Sequence, residues 1–147
     1  QTCALPISVT NIEEWRAIPS LPEYEASSFG RIRRRPYQRP MPRGGVRTYG
    51  GKPWLGAWEK TQGRYVMMYR GKTYRVARLV CEAFHGPPPF DRAVVMHGDE
   101  NSRNNRPSNL SWGTQKENLN APGFIEYCES RTGENSPRLK GLAKRAA

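Results

Sequence analysis

The clearest periodic segment of the chain runs from residue 76 to residue 84. Its apolar side chains recur at intervals of three and four residues, and they are Val76, Leu79, Val80, Ala83 and Phe84. This spacing places them on one face of an α-helix. Gly86 and the prolines at 87–89 follow, so the helix is predicted to end there.

Short runs with the pattern of β-strands lie on both sides of this helix. Residues 64–69 and 73–76 are rich in aromatic and β-branched side chains, and residues 70–72 between them read as a hairpin turn. After the helix, residues 93–96 and 110–112 predict two more short strands.

A second helix is predicted from a capping pattern. Thr114 is followed three residues later by Glu117, so each can bond the other's backbone at a helix start. Pro122 should stop this helix. Residues 122–147 have little periodicity and are expected to form a flexible tail.

The segment before residue 57 is harder to assign. Trp15, Ile18, Leu21 and Tyr24 can build a small core around an entry segment interrupted by proline, and a short strand follows at 31–33. Residues 36–56 carry four prolines and five glycines. They predict a loop or an irregular ribbon, too polar to pack a core of its own.

Charge is concentrated in one part of the chain. The formal net charge is +11, and the stretch from Arg31 to Arg78 holds fourteen Lys or Arg residues beside a single acid, Glu59. Such a block favours a polyanionic partner. A solvated cationic surface and a ribosomal-type RNA-binding protein explain the charge equally well.

Cysteine and apolar content narrow the class of protein. The cysteines Cys3, Cys81 and Cys128 are widely spaced, which argues against a cysteine-built zinc site and a secreted disulfide framework. No apolar run is long enough to span a membrane, so we expect a cytoplasmic protein without a membrane partner. The first residue is Gln1, and residues 1–9 are interpreted as a non-native leader.

A dense polar motif lies between the predicted strands at 93–96 and 110–112 and continues into the second helix. His97 is followed after 12 residues by Asn109 and after 21 by Asn118. Eleven positions fit one pattern, and they are His97, Asp99, Asn101, Asn104, Asn105, Arg106, Asn109, Leu110, Trp112, Glu117 and Asn118. This pattern resembles the HNH homing endonucleases of phages and mobile elements.

The resemblance extends upstream, because residues 13–35 are similar to the modular DNA-binding domain that often precedes this nuclease. It implies an α+β chain in which a small, basic, β-rich module precedes a ββα-metal (HNH, or His-Me finger) nuclease module. The implied boundaries are 10–56 for the first module and 57–121 for the nuclease, with its core at 93–121.

The resemblance also implies an activity and a site. The expected activity is metal-dependent hydrolysis of DNA phosphodiester bonds, leaving 5′-phosphate and 3′-hydroxyl ends. His97 would be the general base, because an imidazole titrates near neutral pH. Asn118 would bind the metal through its amide oxygen. Asn109 would orient the loop and perform no direct chemistry.

One position departs from the family pattern. Many active relatives carry a metal-binding Asp directly before the histidine, where this chain has Met96. A thioether does not hold magnesium. The ion, Mg²⁺ or alternatively Mn²⁺ or Zn²⁺, would then rest on Asn118, His97 and DNA phosphates, or Asp99 would contribute, or catalysis would be weakened.

Basic residues supply the candidate contacts with double-stranded DNA. The predicted set is Arg31, Arg33, Arg34, Arg35, Arg70, Lys72, Arg75, Arg103 and Arg106. A monomer is expected. The alternatives are a catalytically weak or inactive DNA-binding protein of the same ancestry, favoured by Met96, and an RNA-binding protein, which explains the charge but not the motif.

Overall fold

The computed structural model describes residues 12–133, 136, 137, 140 and 144; the predicted leader lies outside the described residues. The first half contains the strands β1 Trp15–Ile18, β2 Leu21–Ser27, β3 Ile32–Arg34, β4 Tyr37–Pro40 and β5 Val46–Tyr49. The second half contains β6 Ala57–Glu59, β7 Arg64–Tyr69, β8 Lys72–Arg75, helix α1 Val76–His85, β9 Val94–His97, a 3-10 helix Pro107–Asn109, β10 Leu110–Gly113, α2 Gln115–Leu119 and α3 Pro122–Glu129. The mixed helix and strand content agrees with the predicted α+β class.

An antiparallel sheet with the order β1-β2-β3 opens the chain. The residues Ile18 and Leu21 face the core as expected, and Ala26 and Ile32 join them in full burial. The sequence pattern indicated only an irregular entry segment here. The strands β1 and β2 were missed because Pro19 and Pro22 interrupt the alternation that marks a strand.

The segment from residue 36 to residue 56 is more regular than expected. β4 and β5 pair antiparallel, with Tyr37 opposite Tyr49 and Arg39 opposite Arg47. Most of this ribbon is exposed, which agrees with the expectation that it packs no core of its own.

The third sheet has the order β6-β7-β8. The predicted hairpin is present, but its turn consists of Arg70 and Gly71 alone, and Lys72 already belongs to β8. Both turn residues have positive φ, 49° and 74°, as a two-residue hairpin turn that matches the strand twist requires.

Helix α1 forms as the periodicity predicts and lies at the centre of the molecule. Its Val76, Leu79 and Val80 are buried, and the helix contacts β1 and β2 on one side and β9 and β10 on another. One core cluster therefore includes residues from both predicted modules, from Ile18 to Leu110. The two sequence modules pack as one body through α1.

The last elements form a ββα arrangement. β9 and β10 pair antiparallel, and α2 follows with the predicted capping box at Thr114 and Glu117. Pro122 does more than end this helix, because it occupies the first turn of α3, where its missing N–H costs nothing. Residues 122–129 are thus helical, so the flexible tail predicted from residue 122 is wrong for this part of it.

Candidate functional site

The fold places His97 at the end of β9, directly opposite Leu110 of β10. Leu110 is buried in the core. Two residues farther along β10, Trp112 donates a hydrogen bond from its indole N–H to the Gly86 carbonyl, 3.0 Å away. The strand pair that carries His97 is therefore anchored on α1, and the imidazole stands at the edge of the rigid core.

The polar loop after His97 is organised by Asp99 and Asn109. The Asn109 amide donates to the Asp99 carboxylate at 2.8 Å and to the Asn104 carbonyl at 2.9 Å, while its oxygen accepts from the Asp99 backbone N–H at 2.9 Å. The Asn104 amide donates to the other Asp99 oxygen at 2.8 Å. This hydrogen bond, supported by those from the Asn101 backbone and Asn109, lowers the pKa of Asp99. Asp99 and Asn109 together close the loop.

Asn105 connects this loop to the imidazole. Its amide oxygen lies 3.0 Å from His97 Nε2, and the residue is 3% exposed. The adjoining 3-10 helix is held from the other side, because His85 Nε2 lies 2.7 Å from the Pro107 carbonyl. In the sequence, Asn105 stood out only as one position of the motif after His97.

His97 and Asn118 line the same cleft, although 21 residues separate them along the chain. The cleft has a volume of about 460 Å³ and lies between the β6–β7 turn, the start of α1 and the β9–α2 region. Asn118 reaches it from α2. The cleft lining does not include Asp99 or Met96, and the Met96 thioether lies over Gly113 instead.

Three arginines give this cleft a positive wall. They are Arg64 from β7, Arg75 from β8 and Arg78 from α1. Burial, with the nearby positive charge of Arg75, lowers the pKa of the Arg64 guanidinium. Of these three, only Arg75 belongs to the set of DNA contacts predicted from the sequence. Arg64 and Arg78 could have been found only by knowing that β7 and α1 face His97.

Comparisons with known proteins agree with this arrangement. Residues 74–120 match the family described as HNH endonuclease, and residues 13–70 match the NUMOD4 motif. A solved structure described as "DNA binding and cleavage by the HNH homing endonuclease I-HmuI" is 28% identical, with a TM-score of 0.52 over 89% of this chain. This chain spans 66% of the length of that one. The comparison with curated proteins gives no match.

The chain thus carries an HNH endonuclease domain preceded by a NUMOD4 motif, and these similarities support the HNH homing endonuclease family. Both predicted parts of the family architecture are present, the NUMOD4 region followed by the ββα nuclease module. The family is one of DNA nucleases that use a divalent metal. In the described part of the chain, no helix is long and apolar enough to cross a membrane.

The NUMOD4 part of this HNH protein pairs many of its arginines with acids. Arg31 binds Glu13, Arg33 and Arg35 bind Glu25, and Arg34 and Arg70 bind Glu23. The pairs of Glu23 and Glu25 with Arg33, Arg34 and Arg35 arise because β2 runs antiparallel to β3, which sets Glu25 opposite Arg33. Five of the nine predicted DNA contacts thus already have a carboxylate partner.

The other predicted contacts differ in their surroundings. Lys72 is exposed, while Arg103 stacks over Trp58 and Arg106 over Phe29, at 4.2 and 5.4 Å from the ring centroids. On the β4–β5 ribbon, Arg39 and Arg47 lie over the rings of Tyr37 and Tyr49 and have no carboxylate partner in the described structure. In the sequence, Arg39 and Arg47 belonged to the basic block but not to the predicted set of DNA contacts.

Few hard ligands face the cleft of the HNH module. Within the described ranges, no three or more His, Cys, Asp or Glu side chains are arranged to hold a metal ion. The remaining donors of the predicted set are the Asn118 amide oxygen and one His97 nitrogen. Such a donor set fits an ion that, like Mg²⁺, keeps several waters and binds substrate phosphates as well as one or two protein groups.

Proposed function

We propose that this protein hydrolyses phosphodiester bonds of double-stranded DNA, with a divalent metal and with His97 as the general base. The observation that carries the proposal is the shared cleft, which is lined by His97, Asn118 and three arginines. A general base, a hard oxygen donor and a cationic wall are the groups that phosphodiester hydrolysis requires.

His97 has one nitrogen available for the reaction. Nε2 is bonded to Asn105, and no described residue bonds Nδ1. We therefore propose that Nδ1 accepts the proton of the attacking water. The water then attacks phosphorus, and the bond between phosphorus and the O3′ oxygen of the leaving strand breaks. The products expected from the family are a 5′-phosphate end and a 3′-hydroxyl end.

The same nitrogen cannot bind the ion while it accepts that proton. We therefore assign the ion to the Asn118 oxygen and to DNA phosphates, with Mg²⁺ as the first candidate. When bound, the ion would neutralise charge on the phosphate and the leaving oxygen. Asp99 keeps a loop-closing role, because its two oxygens accept bonds from Asn101, Asn104 and Asn109.

The cleft arginines would bind the phosphates on both sides of the cut. Arg64, Arg75 and Arg78 have no ion-pair partner in the described structure, so their charge is available to a polyanion. The exposed β4–β5 ribbon would add contacts farther along the duplex, whereas the glutamate-paired arginines would contribute less. Phosphate contacts of this kind carry no sequence preference. We propose that a cytoplasmic monomer performs this work.

The decisive experiment is cleavage of plasmid DNA with Mg²⁺ or Mn²⁺ by the wild type and by His97→Ala, with DNA binding measured in parallel. We expect cleavage by the wild type only, and equal binding by both. An inactive wild type, or equal cleavage by the two proteins, would contradict the assignment. His85→Ala is a poor control because His85 contacts the site loop, so Lys116→Ala on the exposed side of α2 serves instead.

A second candidate is a DNA-binding protein that has lost cleavage, and Met96 favours it. In that case the wild type would bind DNA in a salt-sensitive way without cutting, and Met96→Asp would restore cutting by adding a hard ligand beside His97. Competition between duplex DNA and structured RNA tests the remaining RNA-binding alternative, because preferential binding of RNA would contradict both candidates.

A further inference from the structure

We propose that Asn105 is a positioning residue for His97, and that the turn at Gly30 in the NUMOD4 part holds Asn105 in place. The N-terminal sheet would then support the catalytic centre directly, besides binding DNA. This inference rests on the proposed role of His97 as the base.

The first step concerns the imidazole. A neutral imidazole carries one proton, and a carbonyl oxygen can only accept a hydrogen bond. With the Asn105 Oδ1 at 3.0 Å from Nε2, the proton must lie on Nε2 and the lone pair on Nδ1. This is the tautomer that can take a proton from water at Nδ1. The contact also fixes the plane of the ring.

The second step concerns the cost of Asn105. Its Nδ2 is buried and has no hydrogen-bond partner in the described part of the protein. An unpaired buried donor destabilises a protein by about 1–3 kcal/mol, and an apolar side chain would avoid that penalty. Because Asn105 lowers the stability of the fold and contacts the proposed base, we expect it to have a role in positioning His97. If the Asn105 amide were reversed, its Nδ2 would donate to His97 Nε2. The lone pair of the imidazole would then lie on Nε2 and not on Nδ1.

The third step concerns what holds Asn105. Gly30 has a φ of 75°, and a Cβ on it would lie 2.6 Å from the Asn105 carbonyl carbon and 2.9 Å from the Arg106 nitrogen. The turn and the loop therefore touch backbone to backbone, at a distance that only glycine permits. The Arg106 guanidinium over the Phe29 ring adds a second contact between them.

The turn itself is rigid. The Ser27 side chain is fully buried, and its oxygen accepts hydrogen bonds from the backbone N–H of Arg31 at 3.0 Å and of Phe29 at 3.3 Å. Gly30 donates to the Ser27 carbonyl at 3.0 Å. A firm support thus runs from β2 through Gly30 to Asn105 and His97.

The first experiment examines the imidazole by NMR of protein labelled with ¹⁵N at histidine. We expect the wild-type His97 to carry its proton on Nε2, with a resolved proton signal because the buried bond to Asn105 slows exchange with water. The signal should disappear in Asn105→Ala and persist in Asn105→Asp, which keeps an acceptor. A proton on Nδ1 in the wild type, or an unchanged signal in Asn105→Ala, would overturn the proposal.

Turnover should follow the same order. In Asn105→Ala we expect kcat to fall at least tenfold while KM and DNA affinity stay within twofold, with substantial recovery in Asn105→Asp. Wild-type turnover in Asn105→Ala would count against positioning. If His97 proves not to be the base, His97→Ala still cuts DNA. The proposed function then fails, whatever the NMR signal shows about the Asn105 contact.

The second experiment tests the support from Gly30 with a matched glycine. Gly71 has nearly the same φ, 74°, but open space around its missing Cβ. Both alanine variants carry the same backbone strain, so only Gly30→Ala should lower kcat and weaken the His97 Nε2 proton signal. Equal behaviour of the two would refute the support. Ser27→Ala removes hydrogen bonds from the turn without adding an atom, so it should lower kcat and the His97 Nε2 proton signal by a smaller amount. If both stay unchanged in Ser27→Ala, the proposed support from Gly30 is refuted even if Gly30→Ala does not fold.

Discussion

Replacing Asn109 by alanine should disable the loop beside His97 while leaving most of the fold intact. The change removes three hydrogen bonds, two with Asp99 and one with the Asn104 carbonyl, all between 2.8 and 2.9 Å. Bonds between neutral groups contribute about 1 kcal/mol each and a bond to a carboxylate about 1.5–3 kcal/mol. The sum reaches about 4 kcal/mol. Water can reach this exposed loop and replace some of the lost hydrogen bonds. We therefore take about 2–3 kcal/mol as the free energy by which the ordered loop is destabilised.

This loss converts into a measurable change in rate. Since 1.36 kcal/mol corresponds to a factor of ten, kcat for plasmid cleavage should fall about 30- to 160-fold, with DNA affinity within a few-fold of the wild type. The fall occurs because Asn105 leaves its place beside His97 when the loop opens. Single-turnover cleavage at saturating protein separates this effect from binding.

Asn101→Ala is the matched control in the same loop. The Asn101 side chain accepts one exposed bond, from the Arg103 backbone at 3.0 Å, so its loss should lower kcat less than about fivefold. Asn109→Asp should be worse than Asn109→Ala, because a second carboxylate would lie against Asp99. Equal effects of Asn101→Ala and Asn109→Ala would refute the idea that Asn109 closes the loop.

Three further predictions concern charge. Arg64→Gln should weaken DNA binding and reduce the slope of log affinity against log salt by about one unit. Arg31→Gln should change this slope much less, because the Arg31 guanidinium already pairs with Glu13. DNA titrations at several salt concentrations compare the two variants. The double change Arg39→Gln and Arg47→Gln on the exposed ribbon should lower DNA affinity without changing the urea midpoint of unfolding. The Arg31 hydrogen bond lowers the pKa of Glu13, so this carboxylate stabilises the fold above its unfolded pKa and stops doing so as pH falls through the folded pKa. Glu13→Gln should therefore cost up to about 1 kcal/mol at pH 7, and the two unfolding curves should converge in acid; a difference that persists there would contradict the ion pair as its cause.

Counting charges along the chain overstated the positive surface of the N-terminal part. The block from Arg31 to Arg78 contains one acid, but the partners Glu13, Glu23 and Glu25 lie just before it. Glu23 and Glu25 reach Arg33, Arg34 and Arg35 because β2 folds back on β3, and Glu13, which precedes β1, pairs with Arg31 just before β3. The charge left for DNA is therefore concentrated at the cleft and on the β4–β5 ribbon.

The sequence alone determined the features that depend on neighbours in the chain. Helix α1 follows from its apolar spacing, α2 from the capping pair at Thr114, and the loop after His97 from asparagines that bond within a few residues. These interactions are local, so the residue order already contains them. The similarity to the family was identifiable for the same reason, because its motif lies within one stretch of the chain, from His97 to Asn118.

Only the tertiary structure decided which distant residues meet. Arg64 and Arg78 join the cleft of His97 because α1 packs between the two parts of the chain, and Gly30 touches Asn105 across 75 positions of sequence. Such contacts depend on how sheets and helices bury their apolar faces together, and no periodicity along the chain encodes them. The loop motif could thus be predicted from the sequence, while its supports and its positive wall could not.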